Sequence, residues 1–117
     1  MNKQQLSRDR WEVLKKVRIS NRVKNVVRLG KNLSYEHEVT KFNVAWYCKQ
    51  QGWEYVTEAI FADGSGRADV LILDTDTVVE VIKSEKKVCC IDKSKKYPVE
   101  TVIIVDANHE FKGEDIF

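Results

Sequence analysis

The sequence predicts an α/β fold, α+β in arrangement: a mixed four-stranded sheet flanked by helices and preceded by a basic helical hairpin. Two observations carry this. Apolar residues recur at helical spacing up to Gly52, and after it they run or alternate as they do in strands. Three short β-rich runs then follow one another through tight turns, and a fourth comes after a polar, lysine-rich stretch long enough for a crossover helix.

The elements follow in order. Ser7 can cap a first helix over residues 8–17, with Trp11, Leu14 and Val17 on one face. Ser20 can cap a second over 21–29, ended by Gly30, which gives the outline of a helix-turn-helix, as any small helical hairpin does. Ser34 opens the longest helix, 35–51, stopped by Gly52; Tyr35, Val39, Phe42 and Trp46 recur at helical spacing and are expected to face the core. Strands are expected over 53–61, 67–73, 77–83 and 99–105. Asp63-Gly64-Ser65-Gly66 and Asp74-Thr75-Asp76 supply the turns. Residues 84–95 predict a helix capped by Ser84, and 108–117 a loosely held tail. The whole reads as one domain: a basic helical extension (1–33), a core (34–106) and a tail (107–117).

Composition narrows the class. At 43% hydrophobic and 32% charged, the chain can bury one modest core. No apolar run is long enough to span a membrane, and residues 1–10 are too polar for a signal peptide, so a soluble, cytoplasmic protein is expected. Cys48, Cys89 and Cys90 have no zinc-ligand spacing, and the adjacent Cys89 and Cys90 read as small buried apolar residues. Net charge is only +2, but residues 1–32 carry ten basic side chains against Asp9 and Glu12. Such an arm, with Arg18 in its turn and Arg22, Lys24 and Arg28 on its second helix, can follow phosphates or be a solvated face.

Two carboxylates stand out. Asp69 lies within Ala68-Asp69-Val70-Leu71-Ile72-Leu73 and Glu80 within Val78-Val79-Glu80-Val81-Ile82. A carboxylate inside an apolar strand is costly unless it is paired, hydrogen-bonded or bound to a cation. On strands joined by a tight turn the two are natural neighbours, and at one end of one face they would form an oxygen-rich site suited to Mg²⁺. The plainer alternative pairs one of them with Arg67 or a lysine.

Ser34-Tyr35-Glu36-His37 on a helix, Gly52-Trp53 leading to Thr57-Glu58, Gly66-Arg67-Ala68-Asp69-Val70, and Val79-Glu80-Val81 together resemble the PD-(D/E)xK nuclease superfamily. The likeness is to its restriction-endonuclease-like and resolvase-like branches and covers about residues 34–106. It implies a Mg²⁺- or Mn²⁺-dependent DNA endonuclease, plausible as a homodimer, with Asp69 and Glu80 as metal ligands. Glu36 would be the helix carboxylate, with Glu38 its rival, and Arg67 would lie near the DNA. The family's E-x-K spacing calls for lysine at position 82, where this chain has Ile82, with Lys83 following. In a regular strand residue 83 points away from Glu80, so Lys83 reaches the site only through a β-bulge; Lys86 or Lys87 are substitutes. The competing expectations are a nucleic-acid-binding domain that keeps the fold without catalysis, and an assembly protein with no nucleic-acid partner. Glu58, His37 and His109 are weaker candidates, and Trp11, Trp46 and Trp53 predict core packing.

Overall fold

A computed structural model describes residues 2–31, 33–83 and 96–117, apart from the side chain of Asp115. The predicted helix over 84–95, with Lys86, Lys87, Cys89 and Cys90, lies outside the described residues. Among the described residues the architecture is α+β: two α-helices and a four-stranded mixed sheet.

Helix α1 spans Lys3–Leu14, starting five residues earlier than expected because Asn2, not Ser7, is its N-cap; the Asn2 side chain accepts from the Gln5 N–H at 2.8 Å. The second half of the predicted hairpin does not form. On either side of a 3₁₀ turn at Ile19–Asn21 the chain follows the outer edge of the first strand, β1 (Tyr55–Ile60). Its backbone finds partners there: Arg18 N–H on Ile60 C=O (2.8 Å), Asn25 N–H on Tyr55 C=O (2.8 Å) and Arg28 N–H on Thr57 Oγ1 (2.9 Å). Val23, Val26 and Val27 are poor helix formers, and Asn25 takes a left-handed φ of 63° that no helix continues through. Docking also covers an edge that would otherwise be open.

Helix α2, Tyr35–Gln51, has the expected ends: Ser34 Oγ accepts from the His37 N–H at 3.1 Å, and Gly52 closes it in the left-handed region at φ 74°. The buried face is not the expected one. His37, Thr40, Lys41, Val44, Ala45 and Cys48 are buried, whereas Tyr35, Phe42 and Trp46 are 80%, 51% and 49% exposed. Val44, Ala45 and Cys48 are slim enough to bring the helix close to the sheet, which the bulky aromatic stripe would prevent.

Strands β1, β2 (Arg67–Ile72), β3 (Thr77–Ile82) and β4 (Thr101–Asp106) lie in the order β1-β2-β3-β4, antiparallel except for the parallel β3–β4 pair. Val13 and Leu14 of α1 pack with Val56, Leu71 and Val78 on one face; Val44, Ala45 and Cys48 of α2 pack with Tyr55, Val70, Ile72 and Val79 on the other. The C-terminal segment is no loose tail. A 3₁₀ turn at Gly113–Asp115 returns Phe117 to stack on Tyr47 (centroids 5.3 Å apart) and to meet Trp53 edge-on (5.6 Å).

Candidate functional site

The site arises where the sheet's regular pairing fails. The β1–β2 register runs from Tyr55–Ile72 to Thr57–Val70 and resumes at Ala59–Ala68, while β2–β3 pairing runs from Ile72–Thr77 to Val70–Val79. Continuing both registers places Glu58, Asp69 and Glu80 at one level across three strands. At that level carboxylates take the place of ladder bonds. Glu80 Oε1 accepts from the Asp69 N–H at 3.2 Å, and Asp69 Oδ2 accepts from the Val81 N–H at 2.8 Å. Glu58 has a left-handed φ of 50°, rare for a side chain of its size. Beyond this level Ala59 and Ala68 pack with the α1-side core, so the in–out alternation has slipped; Glu58 and Asp69 instead reach residues of α2.

Where β2 and β3 part there is an open cleft of about 590 Å³, lined by His37, Arg67, Asp69, Glu80, Lys96 and Tyr97 among others. Tyr97 fixes one wall: its hydroxyl donates to Arg67 C=O at 3.0 Å, and its ring lies against Gly66, where a Cβ would come within 3.0 Å. A larger groove of about 710 Å³ between α2 and the C-terminal segment contains neither Asp69 nor Glu80.

Behind the cleft runs a chain of buried charges. His37 Nε2 lies 3.4 Å from Asp69 Oδ2, and its Nδ1 lies 3.4 Å from Glu38 Oε1. Glu38 Oε2 is 3.0 Å from Lys41 Nζ, which is also 3.0 Å from Glu58 Oε1 and donates to Arg28 C=O. Glu58 Oε2 is 3.1 Å from Arg67 Nε, close enough for an ion pair, although the angle falls short of a hydrogen bond. Lys41 is fully buried, so its charge is tolerable only with these partners. The hydrogen-bonding contact with Asp69 raises the His37 pKa above its ordinary 6.5; burial opposes the shift, and the charge of Asp69 and contact with Glu38 reinforce it.

The structure brings Asp69 and Glu80 together and places Arg67 beside them. Glu36 and Lys83 pair with each other at 2.9 Å on the exposed surface, and neither lines this cleft. That pairing holds the Glu36 carboxyl below its ordinary pKa, chiefly through the hydrogen bond from Lys83. Three cations of the basic arm pair with carboxylates of the body. Arg10 pairs with Asp74 (2.9 Å) and Glu54 (2.8 Å), Lys16 with Asp76 (3.3 Å) and Lys24 with Glu54 (2.8 Å). Arg22 donates to the carbonyls of Val17 and Lys15 and lies over the Trp11 ring, and Arg28 gives its carbonyl to Lys41. Arg18 remains exposed, as does His109, 3.7 Å from Asp106.

Lys41, Lys96 and Tyr97 were not foreseen as parts of the site. For Lys41 a signal existed: it belongs to the stripe of Val44 and Cys48, one turn from Glu38. Among the described residues no group of three or more His, Cys, Asp and Glu is arranged to hold a metal ion, and no helix is long and apolar enough to cross a membrane. Two carboxylates facing one cleft are nonetheless the hard oxygen donors that suit Mg²⁺, which keeps several of its waters. No protein-family model, curated protein or solved structure matches the chain.

Proposed function

We propose that this chain is a small metal-dependent DNA endonuclease with a restriction-endonuclease-like core of the PD-(D/E)xK type. The observation that carries the reading is the placement of Asp69 and Glu80, opposite one another where β2 and β3 part, on a cleft that also presents Arg67 and Lys96. Acidic groups able to hold a cation, beside basic groups able to hold a phosphate, are what phosphodiester hydrolysis requires. The element order, helix followed by three antiparallel strands and a parallel fourth, supports the same reading.

Asp69 and Glu80 would hold Mg²⁺ or Mn²⁺, which when bound supplies an activated water and neutralises charge on the phosphate. The Val81 and Asp69 N–H groups keep the two carboxylates aimed across the strands, and His37 holds Asp69 from behind. Arg67 and Lys96 attract and orient the phosphodiester. A second copy of the chain, in a homodimer, would supply the further surface that clamping a duplex calls for.

A second reading has its own support. Ile82 is buried at the position of the expected lysine, and Lys83 is paired with Glu36 away from the cleft. A domain that kept the fold and lost the chemistry would bind nucleic acid without cutting it. Incubation of supercoiled plasmid and branched oligonucleotides with Mg²⁺ or Mn²⁺ separates the two. Nicking that EDTA and Asp69→Ala both abolish supports the nuclease; retention on a gel without cutting supports the binding domain.

A further inference from the structure

We propose that Glu58 is a positioning residue that, anchored by buried Lys41, aims the Arg67 guanidinium into the cleft to receive a phosphate of the substrate. This deepens the reading of the cleft as a phosphodiester site and rests on it. Arg67 opens β2 and is 52% exposed, so an unrestrained side chain there would sweep a wide arc of solvent. Glu58 restrains it. Among the described residues, Glu58 is the carboxylate within ion-pair distance of Arg67, at 3.1 Å from Nε. The contact engages the inner nitrogen, which leaves the outer edge of the guanidinium to meet a ligand.

Glu58 is built for this at some cost. Its left-handed backbone interrupts the β1–β2 ladder and turns a carboxylate that alternation would place on the α1 side toward α2. There Lys41 Nζ holds Oε1 at 3.0 Å, and Lys41 is itself fixed by Glu38 and by the Arg28 carbonyl. A surface arginine is thus tied through two buried residues to the middle of α2. A plain ion pair on a surface strand would need neither the strained backbone nor a fully buried lysine.

The sign of one substitution separates positioning from simple charge. Glu58→Gln removes a negative charge beside a site that binds a polyanion, so Coulomb's law alone predicts tighter DNA binding. Loss of aim predicts weaker binding. The full chain in EDTA would be titrated against a fluorescein-labelled duplex and a labelled single strand at several salt concentrations, as wild type, Glu58→Gln, Arg67→Ala, Arg67→Lys and the Glu58→Gln/Arg67→Ala double variant. We expect Arg67→Ala to weaken binding roughly tenfold and to lower the salt slope by about one. Glu58→Gln should weaken it roughly threefold to tenfold, and not at all further once Arg67 is alanine. Equal or tighter binding by Glu58→Gln overturns the inference and leaves the proposed function standing; failure of the wild type to bind any DNA overturns both. Should melting curves show Glu58→Gln unfolded, Arg67→Lys decides on the surface alone. It keeps the charge and loses the nitrogen that Glu58 holds, so a severalfold loss with unchanged salt slope upholds the inference and wild-type affinity ends it.

Discussion

The carboxylate of Asp69 and that of Glu80 each bond to backbone on the other's strand: Glu80 Oε1 to the Asp69 N–H at 3.2 Å, and Asp69 Oδ2 to the Val81 N–H, next to Glu80, at 2.8 Å. The exchange turns a gap in the sheet into a fixed pair of oxygen donors. It also gives Asp69 a structural duty. Asp69→Ala should cost about 1–3 kcal/mol by leaving the Val81 N–H without its acceptor. Asp69→Asn, which retains an acceptor, should stay within about 1 kcal/mol of wild type. Urea denaturation midpoints check both, and equal stability of the two variants would contradict the account.

Lys41 is the buried cation on which Glu38, Glu58 and the Arg28 carbonyl converge. Lys41→Met preserves the aliphatic stem and takes from Glu38 and Glu58 the buried ammonium they share. A loss of about 3–5 kcal/mol is expected, because breaking a buried pair from one side strands the other charge. A change under about 1 kcal/mol, read from chemical denaturation, would mean that Nζ reaches solvent.

His37 should make stability depend on pH. Its pKa is raised in the folded chain, chiefly by the contact with Asp69. The folded state therefore holds the proton more tightly than the unfolded state. The resulting stabilisation is fully present below the ordinary value of 6.5 and is lost as pH rises through the raised folded value. In metal-free buffer, the Tm difference between wild type and His37→Gln should be largest below about pH 6.5 and shrink as pH rises through the raised folded value. A difference that grows with pH would reverse the assignment.

The C-terminal segment should prove integral to the fold. A Cβ at Gly113 would run into the Tyr47 ring, so Gly113→Ala should cost about 1–3 kcal/mol by overpacking. Were the segment loose, the same change would be neutral or slightly stabilising. Thermal melts followed by tryptophan fluorescence distinguish these outcomes, since Trp53 packs against Phe117.

How far the fold was legible in the sequence varied with the signal. The strands, their turns and both ends of α2 were readable because β-branched runs, Ser34 and Gly52 act locally. The Asp69–Glu80 pairing was readable too, since isolated carboxylates in apolar strands need a partner. The buried face of α2 was not. Two stripes competed there, and hydrophobicity favoured Phe42 and Trp46, while close approach to the sheet and charge pairing favoured Lys41, Val44 and Cys48. Residues 21–29 misled in the same way: their helical spacing is real, but the partners waiting on β1 are invisible to a local reading. The left-handed turn of Glu58 left no mark in the sequence at all.

The most direct test of the central claim is Mn²⁺ binding, followed by the loss of the free-ion electron paramagnetic resonance signal, for wild type, Asp69→Ala and Glu80→Ala. The account predicts saturable binding by the wild type that Mg²⁺ displaces and that either substitution abolishes while the protein stays folded. Wild-type binding unchanged by both substitutions, or no binding by the wild type at all, would contradict it.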